Sequence, residues 1–169
     1  MELKGEVMEL LESGDVADLE RLVRQDRRAL RHLVGRLWDA DEQVRRRAAG
    51  ALGVAAEAHP DLALEVARRL VWALNDESTT NGVHGLVALG EMGHRNPTLL
   101  APLIGPIASR VWDAGLRPAI VRAMCRIAER APDLVWPQRE LLERWRDAAS
   151  SAELDRLARV LDARTGGGE

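Results

Sequence analysis

Apolar residues recur every three or four positions along almost the whole chain, and in no stretch do they alternate with polar ones. That spacing is the signature of helices with one buried stripe. Three segments share it at matching offsets: "EQVRRRAAGALGVAAEA" (42–58), "TNGVHGLVALGEMGHR" (80–95) and "LRPAIVRAMCRIAERA" (116–131). Their columns align as Ala51, Ala88 and Ala123; Leu52, Leu89 and Met124; Gly53, Gly90 and Cys125; Ala55, Met92 and Ile127. The small columns predict close helix approach. Cys125 stands where the other units have glycine, so it reads as a small buried residue, with no base placed to make it a nucleophile.

A second set of helices alternates with the first. "AHPDLALEVARRLVWALND" (58–76), "RNPTLLAPLIGPIASRVWD" (95–113) and "RAPDLVWPQRELLERWRD" (130–147) each open on a proline followed two residues later by leucine, and each close on aspartate. Proline suits the first helical turn, where its missing N–H has no partner to lose. Pro60, Pro97 and Pro132 are spaced by 37 and 35 residues. Two helices per unit of that length predict an all-α chain, an α-α superhelix of about ten helices in five antiparallel pairs.

The ends extend the pattern. Residues 1–24 form an amphipathic capping pair carrying Leu3, Val7 and Leu10, then Val16, Leu19, Leu22 and Val23. Residues 25–149 hold the repeats, beginning with a first helix over 27–38. Residues 150–164 form a last helix, with Ser150 and Glu153 as a capping box and Leu154, Leu157 and Leu161 on its stripe. The "TGGGE" end is expected to fray as a disordered tail over 165–169. A single domain spans 1–164.

"WDADEQVRRRAAGALG", with an aspartate after the first helix and an arginine-bearing, alanine-rich second helix, resembles HEAT repeats. Within that class it is similar to the phycobilisome-lyase-like HEAT group. "WALNDESTTNGVHGLVALGEMGHRNPTLLAP" further resembles a small prokaryotic HEAT subgroup with "LNDES" before a glycine-rich stretch. The broad resemblance covers about residues 25–149 and implies a HEAT-type solenoid. The lyase kinship implies, as a rival role, an accessory or maturation factor that handles a cofactor or a modified protein. No chromophore-handling motif accompanies it.

The repeat assigns roles to the turns. Asp39, Asp76 and Asp113 end corresponding first helices, where a carboxylate can hold free N–H groups at the next helix start. Trp38 and Trp112 share one column and are expected to wedge between units, with Trp145 in a similar place; the central unit has Asn75 there. Its polar turn, "DESTTNG", is about two residues longer than that of the third unit. Trp72 falls away from the stripe of Leu70 and Leu74, so it either packs on a loop or stands exposed as a contact anchor.

Composition narrows the function. The 169 residues are 46% apolar and 30% charged with net charge −3, which fits a folded chain and offers no global field for nucleic acid or anionic membrane. Basic character is nearly all arginine, Lys4 being the only lysine. One cysteine excludes an internal disulfide framework or a cysteine zinc cage. No apolar run approaches the ~20 residues of a membrane span, and the charged amphipathic start lacks a signal-peptide core. The expected setting is cytoplasmic.

Catalytic motifs are missing: there is no phosphate loop, no nucleophile elbow and no H-E-x-x-H. His84 and Glu91 sit about 10 Å apart along one helix, too far to share an ion. Glu91 and His94 make at most half a metal site. No catalytic residue, metal or cofactor is therefore expected. The repeat instead lines up Arg47 with His84 and Ala119, Val54 with Glu91 and Arg126, and Glu57 with His94 and Glu129, off the apolar stripe. These positions predict a concave binding strip for a protein or peptide. His84 and Glu91 lie at its centre, Arg47, Arg122 and Arg126 at its flanks, and Asp76 and Asn81 at one end.

Overall fold

Aspartate and asparagine begin several of the helices. In the computed structural model, which describes residues 2–75, 79–144 and 151–165, no strand occurs among the described residues. Helix α1 runs Leu3–Ser13 and stops at Gly14, whose φ of 78° is a left-handed conformation that a side chain would strain. Asp15 then accepts a hydrogen bond from the Asp18 N–H to start α2, Val16–Gln25. After α3, Ala29–Val34, Asp41 accepts from Gln43 N–H and begins α4, Glu42–Ala58. Pro60 occupies the first turn of α5, Pro60–Trp72, and α6 spans Thr79–Arg95.

The first helices of the next two units differ from the sequence expectation. Residues 97–112 and 132–143 do not form single rods. They break into α7 (Pro97–Leu100) and α8 (Ile104–Ala108), then α10 (Pro132–Val135) and α11 (Arg139–Glu143), joined by tighter 3₁₀ turns. Pro102 and Pro137 sit in those turns. A proline inside a helix lacks the N–H and crowds the preceding turn, so the rod gives way there. Helix α9, Arg117–Ala128, and α12, Ser151–Thr165, complete the chain. Ser150, Trp145 and residues 166–169 lie outside the described residues, so the capping box, that tryptophan's wedge and most of the expected tail do too.

The second helices pack in succession, α2 on α4, α4 on α6, α6 on α9 and α9 on α12. On the other side α1 packs on α3, α3 on α5 and α5 on α7. Between the two layers lies one continuous core that includes Leu11, Leu33, Leu52, Leu74, Leu89, Met92, Ile107 and Met124. Of the predicted small columns, Ala51, Ala88 and Cys125 are in it, and Ala123 is also buried. A Cβ at Gly53 would lie 3.0 Å from the Glu91 carbonyl oxygen, and one at Gly90 would lie 3.2 Å from Ala123 Cα. These glycines set how closely α4, α6 and α9 approach.

A linkage between units was invisible in the sequence. The residues before two of the helix-opening prolines, Pro60 and Pro97, reach back to the preceding second helix. His59 Nε2 donates to the Val23 carbonyl at 2.7 Å, and Asn96 Nδ2 donates to the Ala56 carbonyl at 2.8 Å. Arginines near the start of the second helices close the turn before them. Arg45 donates to the Asp39 carbonyl at 2.7 Å, and the buried Arg117 donates to the Val111 and Trp112 carbonyls at 2.8 and 3.1 Å. Helix ends leave such carbonyls without partners, and a guanidinium satisfies several at once.

Two expectations about the turns are corrected. Asp39 and Asp113 hold the turn itself, accepting from Asp41 N–H and Gly115 N–H at 2.9 Å each, while Asp41 caps α4. Trp112 is 55% exposed, not wedged between units, with the Arg110 guanidinium 5.1 Å from its ring centre. Trp38 is 37% exposed. Both tryptophans lie past the ends of short first helices, Trp38 in the turn after α3 and Trp112 in the 3₁₀ turn after α8, and neither is buried in the core.

A candidate binding groove between the second helices

Glu91 projects from the middle of α6 and meets Arg126 of α9 in a two-pronged ion pair. Arg126 Nε donates to Oε1 at 3.0 Å and Nη2 donates to Oε2 at 3.1 Å. This fork-to-fork geometry is the strong form of the arginine–carboxylate pair. Arg126 also donates through Nη1 to Glu129 at 3.0 Å, and Arg156 of α12 donates to the same carboxylate. His94 Nδ1 lies 3.0 Å from the Arg126 carbonyl oxygen, which can only accept, so that nitrogen donates. One polar network therefore ties α6, α9 and α12 together. The Glu91 hydrogen bond raises the Arg126 pKa above its ordinary value. Burial opposes ionisation of Glu129, but hydrogen bonds from Arg126 and Arg156 outweigh it and lower that carboxyl's pKa.

Beside this network, α6 and α9 enclose a groove of about 260 Å³. Its floor is apolar, made by Val83, Leu86, Val87, Gly90, Ala119 and Ala123. Its rim is basic: Arg46, Arg122, Arg126 and Arg156 stand around it, with Glu91 as the acid. Val87, 45% exposed, is an apolar side chain left facing solvent there. Gly90 lets α9 come close at the base of the groove, where a Cβ would lie 3.2 Å from Ala123 Cα. Arg46 also pairs with Glu42 one turn earlier, at 2.7 Å. Arg122 lies against the Pro118 carbonyl, 3.3 Å from it.

Of the residues expected on the strip, Glu91, Arg122 and Arg126 come together at this groove. His84 is on the same helix but does not line the groove; burial first, and the charge of Arg45 second, lower its pKa. Arg47 is elsewhere. Its guanidinium donates to the Leu11 carbonyl at 2.8 Å, closing the end of α1, and it fills the space over Gly14. The column is also uneven: Val54 and Ala119, aligned with Glu91 and His84, are buried. Asp76 lies outside the described residues, and only the helical backbone of Asn81 is described.

The groove's Val83, Val87, Arg46 and Arg156 were not singled out by sequence reasoning. Val83 and Val87 carry the signal that could have found them, apolar residues one turn apart beside the stripe of Leu86 and Leu89. Arg156 carries none, since it reaches the groove only through the packing of α12 on α9. No group of three or more histidine, cysteine, aspartate or glutamate side chains among the described residues could hold a metal ion. None of their helices is long and apolar enough to cross a membrane. Comparison with family models, with curated proteins and with solved structures found no match.

Proposed function

We propose that the chain is a HEAT-type α-solenoid acting as a non-enzymatic interaction module in the cytoplasm, and that it takes a protein or peptide in the groove between α6 and α9. One observation carries this reading: an apolar floor that includes the exposed Val87 is lined at its edges by four arginines. An apolar side chain of the partner would fill the floor, and carboxylates beside it would meet Arg122 and its neighbours. Arginine is well suited to this, since its planar fork matches a carboxylate and sheds water more readily than lysine does. Repeating pairs of helices in two layers are the support for the solenoid.

The test is capture from extract of the cells the protein comes from, followed by mass spectrometry. Wild type is compared with Val87→Asp combined with Arg122→Glu, and with Trp72→Ala. Both altered groove residues lie at the surface, where substitutions shift stability by less than about 0.5 kcal/mol. Wild type and Trp72→Ala should retain one protein that the groove variant loses. Retention by the groove variant overturns the reading. A stoichiometric metal or a colour on the purified protein would favour the maturation-factor role in its place.

A further inference from the structure

The opposite layer separates charge in a way the groove does not use. Helix α1 turns Glu6, Glu9 and Glu12 outward, with Glu2 just before it and Lys4 exposed on the side toward α3, and none of these glutamates pairs with a cation among the described residues. Two helices away, α5 turns Arg68, Arg69 and Trp72 outward, and α3 adds Arg31 beside them. Those three arginines meet no carboxylate among the described residues, although Glu65 lies on the same strip. Trp72 is 78% exposed, the most exposed large apolar side chain described. Between α3 and α5 runs a shallow groove of about 220 Å³ floored by Leu30, Val34, Leu62 and Val66.

From this juxtaposition we infer that the chain pairs with a second copy of itself, the acidic face of α1 in each copy lying on the basic, tryptophan-bearing face of α5 in the other. The order α1, α3, α5 across the layer makes this possible. A two-fold axis over α3 superposes one flank of the layer on the opposite flank of its mate, so the acid-on-base contact forms twice. The exposed Arg31 of α3 sits near the axis opposite its own copy and weakens the pair. Gly5, exposed in the middle of the acidic stripe, leaves room for the indole of Trp72. A nucleic acid or an anionic membrane fits less well, because either would meet the glutamates of α1 as soon as it spread from the arginines.

The size of the layer sets the expected strength. Helices α1, α3 and α5, of 11, 6 and 13 residues, are ~16, ~9 and ~20 Å long, and at ~9 Å spacing they offer on the order of 400 Å² per copy. Twice that falls short of the roughly 1,000 Å² of a stable specific interface and lies in the range of weak encounters. The pair is therefore weak and dominated by charge, so salt should dissociate it.

Sedimentation equilibrium of the full chain at low salt tests this. Wild type should pass from monomer to dimer as concentration rises, and the dissociation constant should rise at least tenfold in high salt. Arg68→Glu with Arg69→Glu should stay monomeric, and so should Glu6→Arg with Glu9→Arg. Mixing those two variants restores both complementary contacts and should give a heterodimer. Wild type that remains monomeric at every concentration overturns the inference, as does a dimer that survives either reversal. Failure of the two reversal variants to associate with each other, with helical spectra intact, overturns it too. The groove variant Val87→Asp/Arg122→Glu should dimerise as wild type does, which keeps this result separate from the fate of the partner-binding proposal.

Discussion

Glu91 and Arg126 face each other across α6 and α9 with two hydrogen bonds of 3.0 and 3.1 Å, and the pair is the wall between the groove and the polar network behind it. Its side chains are 26% and 37% exposed. Solvent screens a pair at that depth, so a value near the upper end of surface ion pairs applies, about 1 kcal/mol. Glu91→Gln, Arg126→Met and the double variant form a cycle whose urea-derived coupling should be of that size. Exchanging the two charges should not restore it, because a carboxylate at position 126 would face Glu129. A coupling within error of zero would remove the pair from any account of how α6 and α9 are held.

Glycine content separates packing from mere flexibility. A Cβ at Gly93 would lie 2.5 Å from Ile127 Cγ1, near the branch point of a buried side chain that has nowhere to go. Gly93→Ala should cost ~1–3 kcal/mol by overpacking, and Ala88→Leu should do the same in the adjoining column. A Cβ at Gly50 meets nothing within 4 Å. Gly50→Ala should stabilise α4 by ~0.5–1 kcal/mol, since alanine loses less backbone freedom on folding. Thermal melts of the three variants check the opposite signs.

Arg117 is a buried cation whose work is to satisfy carbonyls. Removing it leaves the Val111 and Trp112 oxygens without those donors inside the fold. Arg117→Met keeps much of the bulk and removes the donors, so it should cost ~1–3 kcal/mol. The same change at the exposed Arg130 should stay within ~0.5 kcal/mol. Equal denaturation midpoints for the two would show that the carbonyls find other partners.

Two histidines make stability depend on pH. Burial first, then the charges of Arg31 and Lys4, lower the pKa of His32 from 6.5; burial and Arg45 lower that of His84. A histidine whose folded pKa lies below its unfolded value takes its proton first in the unfolded chain. The stability it contributes is therefore fully present above about pH 6.5 and is lost as pH falls through the window below. Urea midpoints should drop between about pH 7.5 and about pH 5.5. The drop should shrink in His32→Gln/His84→Gln. A drop of unchanged size in that variant would assign the effect to other groups.

The helical class, the alternation of first and second helices and the buried columns of Ala51, Ala88 and Ala123 were legible in the sequence. Each follows from a periodicity that local geometry enforces: one stripe per helix must be apolar, and where helices cross closely it must also be small. The sequence likewise pointed to Glu91, Arg122 and Arg126, because equivalent positions in successive repeats lie side by side once the helices stack. It erred where a side chain's destination depends on reach. Arg47 shares a column with His84, yet its long stem carries the guanidinium to the end of α1, where unpaired carbonyls hold it. Trp112 and Trp38 share a column suited to wedging, yet neither is buried in the core. The groove exists because α9 and α12 come close enough to set Arg122 and Arg156 around Val87. Repeat offsets specify which residues are neighbours in register. Only the packed helices decide how far apart those neighbours stand and which of them solvent still reaches.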